Sequence, residues 1–374
     1  MKVFVKFYAE LNLGDDLFLK ILLERYPDTT FVINARKEYK EIFKDYNNLE
    51  VYQAKATIVS RNIFYRAYRF LLGKVSLKKY KQLLNSNLKK AYESKFKESD
   101  VFLSIGGSIF MQPKILPAYS DIELYNLANM HFNNIFYLGC NFGPYIDEDY
   151  RKSYESIFQK ATDVCFREEA SLNMFPMSKN IRNKPDIVFS LDMSKESKVK
   201  NSVGFSVITA RNGIDEDSYI KKYVDLIKFY QKNNHKIYLF SFCSKEGDNK
   251  TIELIVNRLT DVNNINKVFY DGNIDSFLKI YSSVDKMYCC RFHSMILSML
   301  YGQKLVPIVY SKKMTNVLEE INYKGHSLKI EDFYLIDPKE TDIQFSESMY
   351  NISNQIEKSH KQFTKLDEIL NKIK

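Results

Sequence analysis

Tryptophan is absent from this chain of 374 residues, which holds only five histidines, five cysteines, eight prolines and twelve glycines. Each scarcity excludes something. The histidines stand at 131, 235, 293, 326 and 360, without the spacing of a metal site, so no metal is expected. Cys140, Cys165, Cys243, Cys289 and Cys290 are odd in number and form no CxxC pair. They read as reduced, buried thiols of a cytoplasmic protein rather than as a disulfide framework. The glycines build neither a Walker loop nor a GxGxxG turn, so they support no nucleotide specificity, and no GxSxG elbow occurs; the expected cofactor is none. The acidic triplets Asp147–Glu148–Asp149 and Asp215–Glu216–Asp217 read as solvated loops. No apolar run reaches the roughly 18 residues of a membrane span. The N-terminal stretch turns polar too early for a signal peptide. The expected location is the cytoplasm, including the inner face of the membrane.

What is present is aromatic and basic. Twenty-seven Tyr and 27 Phe supply core, and 55 Lys+Arg against 46 Asp+Glu leave a net charge of +9. That balance favours anionic partners such as phosphorylated metabolites, nucleotides or an anionic membrane face. The basic residues form no nucleic-acid reader motif, so nucleic acid is not an expected partner.

Short β-branched and aromatic runs alternate with amphipathic helical patterns, which predicts parallel α/β architecture. The expected strands are 2–8, 29–35, 49–54, 100–105, 134–139 and 163–166, then 202–209, 236–242, 266–271, 286–290 and 304–310. The polar stretch 192–201 reads as a linker. Two Rossmann-like domains are expected, 1–192 and 202–345, facing a cleft and followed by a charged C-terminal helix over 346–374. Residues 61–98 interrupt the rhythm as a basic, aromatic helical insertion, either solvated or docking a membrane surface or acceptor.

The candidate chemistry lies at carboxyl ends of strands, where ligands bind in open α/β sheets. In "MYCCRFHSMILSML", Arg291, His293 and Ser294 follow a buried-type strand and open a helix. Arg291 offers a fork for phosphate or carboxylate, and His293 can move a proton near neutral pH. The alternative is an Arg bonded within its own loop, with His293 as a helix cap. Tyr310, Ser311, Lys312 and Lys313 occupy the next strand-to-helix junction, and Arg211 follows the first strand of that domain. In the first half, Asn12, Gly14 and Asp15 form a tight turn in which Asp15 reads as an N-cap. Gly106, Gly107 and Ser108, then Gly143 and Pro144, then Arg167 and Glu168 follow successive strands. Together they describe one wall of a cleft.

The ordered set "NLGDD", "GGS", "GP", "FREEAS", "PDIVFSL" and "RFHSMI…VYSKK" resembles the polysaccharide pyruvyl transferase family over about residues 10–320. The resemblance implies a fold similar to the GT-B glycosyltransferases. It also implies transfer of pyruvate from phosphoenolpyruvate to two hydroxyls of a sugar, as a cyclic ketal, with release of phosphate. The acceptor would be a polysaccharide or its precursor, lipid-linked or not, of a capsule, exopolysaccharide or cell wall. On that resemblance Arg291 and Lys313 hold the donor and His293 is the general acid/base; Ser294, Tyr310 and Arg211 join the donor side by their places at strand ends. Asn12, Gly14, Asp15, Gly106, Gly107, Ser108, Gly143, Pro144, Arg167 and Glu168 form the acceptor side. Three departures stand out: Ile105 replaces the first of three glycines, Glu168 replaces an Asp, and Lys304 replaces a Pro near Pro307. Competing readings are a nucleotide-sugar glycosyltransferase and a non-catalytic partner in polysaccharide assembly.

Overall fold

Seven strands of the N-terminal half pair side by side in a computed structural model that describes residues 1–54, 62–112, 119–192, 196–210 and 213–371. They are β1 (Lys2–Lys6), β2 (Thr30–Asn34), β3 (Leu49–Tyr52), β4 (Val101–Ile105), β5 (Ile135–Cys140), β6 (Asp163–Phe166) and β7 (Ile181–Asn183). Their order is β3-β2-β1-β4-β5-β6-β7, and all pairings are parallel. The central strands β4 and β5 are buried at every position. Such continuous apolar runs belong to parallel strands covered on both faces. Phe4, Phe96, Phe102 and Phe132 interlock on one face, supplying the mass that tryptophan does not.

A second sheet contains β8 (Ser202–Ser206), β9 (Lys236–Ser241), β10 (Ile265–Phe269), β11 (Lys286–Cys289), β12 (Lys304–Val309) and β13 (Leu328–Lys329). Its order is β10-β9-β8-β11-β12-β13, again parallel throughout. Phe205 of β8 stacks on Tyr288 of β11 with ring centroids 4.8 Å apart. In both sheets the chain starts in the middle, winds outward one way, then returns to wind the other way. The order therefore reverses between β1 and β4, and between β8 and β11.

The expected strands are all present, within three residues at their ends. The short edge strands β7 and β13 were too brief to be read from periodicity. Contacts divide the chain into two compact units: Met1–Ala9 with Phe18–Ile187 and His360–Lys374, and Glu10–Leu17 with Val188–Ser359. The expected linker 192–201 is not a bare connection along its whole length. Residues 193–195 lie outside the described ones, but Val199 N already donates to Ser283 O at 2.8 Å. The expected C-terminal helix is broken into Ser353–Ser359 and Thr364–Leu370, joined by the 3-10 turn His360–Phe363. At that turn the Gln362 amide accepts from Gly139 N and donates to the carbonyls of Phe166, Lys184 and Pro185. The insertion resolves into two helices, Ile63–Val75 and Leu77–Lys97, with Arg61 outside the described residues.

Candidate functional site

The second unit gathers its polar side chains where β8 and β11 diverge. Arg291 caps the helix Phe292–Leu300, with Ser294 at the third helical position completing the cap. Ser206, the last residue of β8, ties the turn down: its Oγ accepts from Cys290 N at 2.8 Å and Arg291 N at 3.2 Å. It also lies 2.7 Å from Ser294 Oγ, which donates to Arg291 O. Cys290 and Arg291 are thereby fixed by two buried hydroxyls.

Arg291 is buried, and its guanidinium meets two carboxylates. Nε lies 3.1 Å from Asp248 Oδ2, Nη2 is paired with Asp248 Oδ1, and Nη1 with Glu246 Oε2. Asp248 is fully buried and also accepts from Phe242 N and Cys243 N at the end of β9. Burial works against both charges. For Arg291 the two carboxylates outweigh it and hold the guanidinium above its ordinary pKa. For Asp248 burial outweighs the pull of Arg291 and raises the carboxyl.

His293 is half-buried and packs edge-on to Phe292, with ring centroids 5.2 Å apart. Its Nδ1 sits 1.8 Å from where a Cβ on Gly14 would lie. Only a glycine lets the imidazole approach this backbone. The Gly14 loop belongs to the same compact unit as His293. Leu13 N donates to Phe242 O at 3.1 Å, Asn12 Nδ2 to Glu246 Oε1 at 3.1 Å, and Tyr270 to Asp16 at 2.7 Å. Asn12 Oδ1 accepts from Gly14 N, which closes the turn. Asp15 is not an N-cap: the helix begins at Leu13, and Asp15 with Asp16 occupies the first turn. Carboxylates there complement the helix dipole.

At the neighbouring junction, β12 ends at Val309 and the helix Lys312–Glu320 follows. The Lys313 ammonium lies 5.2 Å from the Phe292 ring centroid and 5.4 Å from that of Tyr310. This places a cation on the same side as the Arg291 turn. Ser311 Oγ is buried and finds no hydrogen-bond partner among the described residues. Arg211 lies outside the described residues.

In the first unit, Arg167, which follows β6, binds the loops after β4, β5 and β7. Its Nη1 donates to Asp186 at 2.9 Å and its Nη2 to Asn141 Oδ1 at 2.6 Å and Ser108 Oγ at 3.4 Å. A Cβ on Gly107 would lie 2.5 Å from Arg167 Nη1. Glu168 accepts from Ser171 Oγ, which in turn accepts from Phe142 N. The Gly143–Pro144 peptide is cis.

These contacts describe what the arrangement can do. A titratable imidazole, a charge-balanced arginine and a lysine gather at the reversal of strand order, where doubly wound sheets bind ligands. The polysaccharide pyruvyl transferase model matches residues 12–312, most of the chain. The chain belongs to that family. Its members are transferases, and the family places this one in polysaccharide biosynthesis. No match is found among curated proteins. Among solved structures, HepE of Anabaena with UDP-glucose is 11% identical, with 100% of this chain and 98% of that one covered at a TM-score of 0.55. UDP-GlcNAc 2-epimerase of Methanocaldococcus jannaschii, with UDP-GlcNAc and UDP, is 9% identical, with coverages of 98% and 99% and a TM-score of 0.59. The UDP co-structure of MnaA from S. aureus is 11% identical, with coverages of 99% and 96% and a TM-score of 0.58. At such identities the likeness concerns the fold, which is GT-B-like.

The structure sorts this family member's expected site residues into two groups. Asn12, Gly14, Asp15, Arg291, His293, Ser294, Tyr310 and Lys313 fall in the second unit, and Gly106, Gly107, Ser108, Gly143, Pro144, Arg167 and Glu168 in the first. Two side chains differ from expectation. Ser294 is fully buried and committed to the turn, so it braces the site from behind. Arg167, with its side chain only 2% exposed, is a loop clamp. Sequence reasoning missed the carboxylates Glu246 and Asp248. The signal available was "SKEGD" after a buried-type strand, the same kind of junction already singled out elsewhere.

Proposed function

We propose that the enzyme transfers pyruvate from phosphoenolpyruvate to a pair of hydroxyls on a sugar of a polysaccharide or its precursor, forming a cyclic ketal and releasing phosphate. The observation that carries this reading is His293 at the carboxyl end of β11, beside Arg291, at the reversal of strand order, in a chain of this family. The donor methylene gains a proton and becomes the ketal methyl. One sugar hydroxyl adds to the adjacent carbon. The second hydroxyl then displaces phosphate there with C–O cleavage. Two hydroxyl protons are lost, one is gained at carbon, and the other leaves with phosphate. His293 is the group proposed to move these protons.

Lys313 is proposed to hold a donor anion, with Ser311 Oγ as a neighbouring hydrogen-bonding group. Arg291 enters differently from a bare fork. Asp248 pins it from the buried side, whereas Glu246 is 35% exposed and is the partner an incoming anion would replace on Nη1. Arg291 is then both a positioning residue for the turn and a ligand for the donor.

The test is phosphate release from phosphoenolpyruvate across a panel of acceptor sugars, run beside nucleotide sugars. Phosphate release with pyruvylated product supports the reading. Nucleoside diphosphate release instead would identify a glycosyltransferase. His293→Ala should lower turnover by about 10²–10⁴-fold without lowering Tm. Turnover within a few-fold of wild type would remove His293 from the role.

A further inference from the structure

The helix Ile63–Val75 and the helix after it are not used by the site described above. Between Asn62 and Tyr92 the sequence carries Arg66, Arg69, Lys74, Lys78, Lys79, Lys81, Lys89 and Lys90, and no Asp or Glu. Such a run is unusual beside a chain average in which the two signs nearly balance.

The first helix has two faces. Asn62 caps it by accepting from Phe64 N and Tyr65 N. Its inner face packs on the second helix: the Tyr65 hydroxyl meets Asn87, and Arg69 lies over Tyr80, 5.8 Å from its ring centroid. The second helix is anchored in turn by Phe96 among Phe4, Phe102 and Phe132, and by Tyr52 Oη donating to Ala91 O. The outer face of the first helix carries Phe64, Tyr68, Leu71 and Val75, at spacings i, i+4, i+7 and i+11. At 100° per residue these fall within an arc of about 60°. They are 82%, 54%, 60% and 83% exposed, and Ile63, before Phe64 in the first turn, is 74% exposed. Lys74, Lys78 and Lys79 are exposed close by.

We propose that this face docks on an anionic lipid surface, with the helix lying in the plane of the headgroups. Two observations select that occupant. The apolar stripe is aligned along one face of a helix whose other side packs on its neighbour, the arrangement of an interfacial helix. Every charged residue from Asn62 to Tyr92 is basic, which complements phosphate headgroups and would repel a second copy of the same face. The inference is independent of which donor or acceptor the site uses.

The experiment is flotation of the full chain with vesicles of phosphatidylcholine alone, or with about 30 mol % phosphatidylglycerol. The expected result is binding to the anionic vesicles, at least about tenfold weaker to neutral ones, and weakened again in about 0.5 M NaCl. The double variant Phe64→Glu, Leu71→Glu should lose about tenfold or more of that binding while Tm and the far-ultraviolet spectrum stay unchanged, since both side chains face solvent. A second variant, Lys78→Gln with Lys79→Gln, should weaken anionic binding alone. The proposal is overturned if wild type does not float with anionic vesicles, or if the double variant floats equally well. It is also overturned if sedimentation shows that the face joins two copies of the chain without vesicle binding.

Discussion

Gly14 and His293 stand far apart in sequence and in contact in space. A methyl at Gly14 would lie 1.8 Å from Nδ1, so Gly14→Ala must push the imidazole aside. The backbone there is not in the left-handed region, so the effect is steric and local. On the proton-transfer role proposed for His293, such a displacement costs rate more than binding. Gly14→Ala should lower kcat by about tenfold or more, with donor KM changed far less, in steady-state phosphate release. Equal losses in both parameters, or none, would show that the ring does not depend on this contact. Arg291 teaches a related lesson. Its residue type suggested a fork awaiting an anion. The structure shows a guanidinium already balanced by Glu246 and Asp248. Neither the bare fork nor an Arg bonded to its own loop describes it.

Between elements, Asp248 is the knot that joins the end of β9 to the turn after β11. It accepts from Phe242 N, Cys243 N and Arg291 together. Asp248→Asn removes the charge while keeping the shape and leaves the buried guanidinium to the half-buried carboxylate of Glu246. Loss of one partner of a buried pair costs about 3 kcal/mol. Urea unfolding should show a loss of that order; a variant as stable as wild type would mean that Glu246 alone suffices. The sequence disclosed this region unevenly. Strands such as 101–105 and 135–140 were legible because continuous apolar runs bounded by polar turns have few other meanings. The edge strands Ile181–Asn183 and Leu328–Lys329 were not, since two or three residues carry no period. The junctions holding Arg291, His293, Tyr310 and Lys313 were legible from their position after strands. The partnership of Arg291 with Glu246 and Asp248 was not, because it joins residues more than forty positions apart. The grouping of Glu10–Leu17 with the second unit was hidden for the same reason, being decided by contacts that spacing cannot reveal.

For the whole molecule, the five cysteines are all buried and free. Burial pushes Cys289 and Cys290 up to about 12 and Cys243 up to about 11, against about 8.5 in an unfolded chain. A thiol whose folded pKa is raised contributes stability that is complete below the unfolded value. That contribution fades as pH climbs toward the folded one. Tm should therefore fall between about pH 8.5 and 12, and the native protein should react slowly with thiol reagents at pH 8 and fast once unfolded. Rapid labelling of the native protein at pH 8 would contradict this.

Gln362 closes the account at the other end of the chain. Its single amide satisfies Gly139 N and the carbonyls of Phe166, Lys184 and Pro185. The final residues therefore act as a plug for polar backbone that the first sheet leaves open at its strand ends. A protease that clips the chain near Ser359 would not merely trim a tail. It would uncork four hydrogen-bonding groups inside the N-terminal unit. Damage at one terminus would then be felt at backbone groups 177 to 223 positions away, and intactness of that tail is a simple marker of an intact first unit.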